Sequence, residues 1–187
     1  MILEKSDVHY QAIKTFYGGG VTKRYNIPLM NHIDEGLQIL GRISTGVLVQ
    51  QAFCIHPLLQ SDENLKETLY KAGDIDIESL GVRPAILAME YRNQLNRFSS
   101  KTFDKGGSAD RRTAKVNELK SIMVNNPLLH AMAVADKVQN RKDFEKYHKG
   151  NHPRSKELVD YFYYWLYFIL GVTEREYLTF VQELHSD

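Results

Sequence analysis

The chain has 187 residues, 43% of them hydrophobic and 25% charged, with a formal net charge of +1. That length and balance suit one packed domain and exclude a disordered chain. The near-neutral charge excludes a global pull toward nucleic acid or anionic membrane, so nucleic-acid binding is not expected. A single cysteine, Cys54, excludes an internal disulfide and a cysteine-based zinc site, and its apolar neighbours Phe53 and Ile55 read as core.

Residues 3–17 form the first predicted helix, with Val8, Ile13 and Phe16 on its apolar face and Gly18-Gly19-Gly20 as its end. The glycine triplet reads as a loop, because no strand precedes it and the Walker pattern is absent. Next comes a helix from His32 to Ile43, with Leu29, Ile33, Leu37 and Leu40 stacking on one side. The third, at 45–56, is the most apolar segment and the expected centre of the core. Pro57 is expected to end it at His56, because proline disfavours helical geometry in the residue before it.

Ser61 or Asp62 can cap a helix running to about Lys71, with Gly73 as its stop. Residues 83–98 are helical, and Arg92 and Asn96 share a polar face there that reads as surface. Residues 99–110 are polar and glycine-bearing and read as a loop. Helices follow near 111–124, 127–147 and 155–170, then a last one near 173–185 opened by a Thr173–Glu176 capping box. No segment reads as a strand. The expectation is an all-α, single-domain multi-helix bundle over 1–187.

The run Leu158–Leu170 is the longest apolar stretch. As a helix it reaches only about 20 Å, short of the roughly 30 Å of a bilayer core. It reads as a buried helix, with a self-association face of a homo-oligomer as the alternative. No membrane association is expected, and with no signal peptide at the N-terminus the expected location is cytoplasmic.

Three residues stand out for chemistry. His32 lies early in a helix, His56 at the end of the apolar one, and Asp136 on a helix behind Leu128, Ala131, Val134 and Ala135. A carboxylate among such neighbours is costly unless it is paired or binds a metal. Two imidazoles and a carboxylate could make a transition-metal site or serve separate structural roles, and spacing alone leaves both open.

Three segments carry a resemblance. PLMNHIDEGLQIL resembles the first-histidine motif of the HD metal-dependent phosphohydrolases of the RelA/SpoT type, which remove the 3′-pyrophosphate of guanosine tetraphosphate. VLVQQAFCIHPLLQSDENL resembles that family's second segment, apolar helix and then His-Asp. AVADKVQNRKDF resembles its third, L-A-D-[KR]-x-x-N-x-[RK]. The three fall in order within residues 24–147. The resemblance implies an HD-type helical fold, a divalent metal (often manganese) and a nucleotide or other phosphate ester as ligand.

Residue by residue, it implies His32, His56 and Asp136 as metal ligands and Asn140 beside the nucleotide. Lys23 and Arg24 lie where the family carries nucleotide-binding basic residues, with a different spacing to the histidine. Arg111 and Arg112 follow a basic loop that also holds Lys101 and Lys105, and Arg141 adjoins Asn140. Lys23, Arg24, Arg111, Arg112 and Arg141 are the candidates for the anion.

Two departures bear on catalysis. The family's metal aspartate is replaced by Pro57, which has no ligand atom. The Glu-Asp pair that helps activate water falls on Gln60 and Ser61, with Asp62 one residue beyond. Losing a general base costs on the order of 10²–10⁴ in rate. The expectation is therefore a phosphohydrolase-like protein of weak activity, or an inactive relative that binds a nucleotide or a protein partner.

Overall fold

The computed structural model describes residues 1–22, 26–43, 45–70, 78–99 and 109–184. They include nine α-helices: α1 Val8–Tyr17, α2 Met30–Arg42, α3 Val47–Leu59, α4 Asp62–Tyr70, α5 Val82–Arg97, α6 Ala109–Asn125, α7 Pro127–Asp143, α8 Ser155–Tyr163 and α9 Glu174–Leu184. Among the described residues there is no strand, only an isolated bridge between Val21 and Pro28. The all-α expectation holds. The chain divides into two compact units, Met1–Asn93 and Gln94–Asp187.

In the first unit α3 is the hub, packing against α1, α2 and α4. Phe53, Cys54, Ile55 and Leu58 are buried in it, as its apolar sequence leads one to expect. Burial also pushes the Cys54 thiol up, so it is an inert core residue. α2 comes close to α3 at Gly36: a Cβ there would sit 2.1 Å from the Phe53 ring. Asp7, not residue 3, starts α1, because its side chain accepts from the His9 N–H. Gly18 ends the helix in the left-handed region, at φ 53°.

One boundary differs from expectation in an instructive way. α3 does not stop at His56 but runs through Pro57 to Leu59. Proline cannot donate to the carbonyl four residues back, which here belongs to Phe53. That carbonyl accepts instead from His56 Nδ1, at 2.6 Å. A side-chain donor thus replaces the missing backbone donor, and the last turn survives.

The second unit is built around α7, which packs against α6 and α9. Two helices here end in π-helical turns: Phe144–His148 continues α7, and Tyr164–Ile169 continues α8. The expected run 155–170 is therefore helical throughout but changes its winding midway. Trp165, Leu166 and Ile169 are buried, while Tyr163 and Phe168 stay about half exposed. The Thr173–Glu176 box forms as expected: Thr173 N–H donates to the Glu176 carboxylate, and Glu176 N–H to the Thr173 hydroxyl. Among the described residues no helix is long and apolar enough to cross a membrane.

Candidate metal centre

His56 owes its place to α3. Its Nδ1 faces the Phe53 carbonyl, which can only accept, so in the neutral ring Nδ1 carries the proton and Nε2 keeps its lone pair. Nε2 lies 3.3 Å from Nε2 of His32 on α2. The two rings meet at 67°, and His56 also lies edge-on to the Tyr91 ring. His56 is buried and His32 half-buried. Phe53 backs both imidazoles, with ring centroids 5.4 Å from His32 and 4.9 Å from His56.

Asp136 lies on α7 and is 3% exposed. Its carboxylate accepts from Asn140 Nδ2 at 2.9 Å and from Lys137 Nζ at 2.8 Å. Asn140 is one turn further along the helix, and that spacing puts both side chains on one face. Lys137 is equally buried. Burial pushes its ammonium down, but the charge and hydrogen bond of Asp136 together with those of Tyr161 outweigh that and hold it above its ordinary range. The rings of Trp165 and Tyr161 lie 5.1 and 5.6 Å from the ammonium.

The structure brings three of the sequence-predicted residues together. His32, His56 and Asp136 each offer one ligand atom, and these atoms lie within 4.8 Å of one another. Such a cluster could hold a metal ion. The donor chemistry fits, since imidazole nitrogens and a carboxylate oxygen are ordinary metal donors. The hydrogen bonds from His56 to a backbone carbonyl and from Asn140 to Asp136 are of the kind that orient ligands at a metal site.

The other predicted residues have their own surroundings. Gln60 is exposed beyond the end of α3. Ser61, rather than Asp62, caps α4, its hydroxyl accepting from the Asn64 N–H at 3.0 Å. Asp62 is exposed and pairs with Arg92, which holds its carboxyl below the usual carboxylate range. Arg141 donates to Glu145, Glu174 and the Tyr167 hydroxyl. Arg112 is half-buried on α6. Lys23, Arg24, Lys101, Lys105, Lys71, Gly73, most of the expected 99–110 loop and the side chain of Arg111 lie outside the described residues.

Sequence reasoning passed over Lys137. Lysine next to an aspartate on a helix reads as a solvated pair, and only the apolar neighbours at 131–135 hinted that the stretch is buried. No family model, curated protein or solved structure matches the chain.

Proposed function

We propose that this chain is an HD-type phosphohydrolase-like protein that holds a divalent transition metal on His32, His56 and Asp136 and takes a nucleotide-class phosphate ester at that metal. The observation behind it is the common reach of the three ligand atoms, within 4.8 Å of one another. The order of the three sequence motifs supports it. A metal with open positions can accept a phosphate oxygen or a water, and as a Lewis acid it would polarise the phosphate. His56 presents Nε2 as a ligand because Nδ1 is engaged by Phe53, and Asn140 steadies the Asp136 carboxylate.

A second reading, a catalytically silent binding protein, is favoured by Lys137. Its ammonium already neutralises the one carboxylate of the cluster. A divalent ion there has no excess negative charge to meet, and Pro57 supplies none. Gln60 and Ser61 stand where a carboxylate pair would activate water, and neither can take a proton as a carboxylate does.

Metal analysis and manganese calorimetry of the full chain, beside His56→Ala, test the first reading. Uptake of about one ion per chain, weakened at least tenfold in the variant, is expected. Equal binding by both proteins, or by neither, ends the first reading. A nucleotide panel including guanosine tetraphosphate then separates the two readings. Turnover above that of His56→Ala favours the enzyme, and binding without turnover favours the silent relative.

A further inference from the structure

The second unit contains a cavity of about 460 Å³ that the metal reading does not use. Both π-helical turns reach it: Phe144 and Glu145 come from the first, Tyr167 from the second. Such turns are rare, and they concentrate at functional sites.

Aromatic side chains dominate the lining. Phe144 and Phe162 pair with centroids 5.5 Å apart, and Tyr163 and Tyr167 with centroids 4.7 Å apart. Val159 completes the apolar part. The polar part is already closed on itself. Arg141 donates through Nε to Glu145 and through its two Nη groups to Glu174, with the Tyr167 hydroxyl accepting as well. The second oxygen of Glu145 accepts from Tyr177. Lys149 is different: among the described residues its ammonium has no hydrogen-bond or ion-pair partner.

We infer that this cavity binds a small planar aromatic molecule carrying an anionic group, with its ring among Phe144, Phe162, Tyr163 and Tyr167 and its anion on Lys149. The size, the mostly apolar lining and the few polar groups match the general character of small-molecule sites. The four charged lining groups sum to zero, so the sign rests on pairing and not on net charge: Arg141 engages both carboxylates, and Lys149 is the lining ion with no partner among the described residues. This inference is independent of the metal centre and uses none of its residues.

The probes are 2-naphthoate, 2-naphthalenemethanol and 2-naphthylmethylammonium, titrated into the full chain by calorimetry. Naphthoate is expected to bind most tightly. Lys149→Glu should weaken it about threefold to tenfold, the scale of an exposed charge contact and its reversal, while leaving the neutral alcohol within twofold. Val159→Trp, at a position 41% exposed, should fill the cavity and abolish binding of both. Should that variant fail to fold, Tyr163→Ala removes a lining ring from a half-exposed position and should weaken both ligands alike. A preference for the ammonium probe, no naphthoate binding at millimolar concentration, or unchanged binding in Lys149→Glu overturns the inference.

Discussion

α3 and α7 each centre one unit, and their buried faces differ in kind. Nine residues of α3 are buried, and only Gln50 and His56 among them are polar. Eleven residues of α7 are buried, and Asp136, Lys137, Gln139 and Lys142 are polar or charged. The first helix is stabilised by transfer of apolar surface from water. The second carries charges into the interior and must match each one: Lys137 with Asp136, and both Lys142 and Gln139 with Asp143. A buried pair adds little net stability, but breaking one is expensive. α3 should therefore respond to volume and backbone changes, and α7 to changes of charge.

The largest expected effect is on α7. Lys137→Met leaves Asp136 buried without its cation, which should cost about 3–5 kcal/mol in denaturant unfolding. If Asp136 is a metal ligand, manganese should then raise the variant's Tm more than that of the wild type, because the ion replaces the missing charge. A variant as stable as wild type would end the contrast between the two helices.

Pro57→Ala tests α3 from the opposite direction. Restoring the backbone donor should stabilise the helix by as much as ~3 kcal/mol. The new N–H competes with His56 Nδ1 for the Phe53 carbonyl, so manganese affinity should fall about tenfold. Greater stability with weaker metal binding is a combination that a purely structural role of His56 does not produce. Gly36→Ala should cost about 1–3 kcal/mol, since the added carbon meets the Phe53 ring. Trimming that ring in Gly36→Ala/Phe53→Leu should recover part of the loss, and a double-mutant cycle measures it.

The smallest effect concerns acid. Partial burial pushes the Asp7 carboxyl up, but hydrogen bonds from the His9 backbone, the His9 ring and Gln51 outweigh it and leave the group below its ordinary value of 3.8. A carboxyl depressed in the folded state contributes stability above its unfolded value, and that stability is lost as pH falls through the folded one. Asp7→Asn keeps the cap on α1. It should lose less than ~1 kcal/mol near neutrality and show a flatter stability profile below pH 4. Urea titrations at pH 3 and pH 6 measure the difference.

Much of the fold was readable from residue order. The central role of α3 followed from VLVQQAFCIH, and the last helix from its Thr173–Glu176 box, because hydropathy and capping are local. The continuation of α3 past Pro57 was not readable, since it depends on a side chain bending back to a carbonyl. The winding of 155–170 was equally hidden: nothing in LVDYFYYWLYFIL distinguishes an α turn from a π turn.

His32, His56 and Asp136 could be named as candidates from motif order, because imidazoles and a carboxylate in apolar helices are conspicuous in any sequence. Their convergence, the proton on His56 Nδ1 and the charge of Lys137 against Asp136 were settled by tertiary packing alone. Residues 24 and 80 positions apart have no local interaction to fix their distance. Side-chain chemistry is written in the chain, whereas who neighbours whom depends on how the helices bury their surfaces.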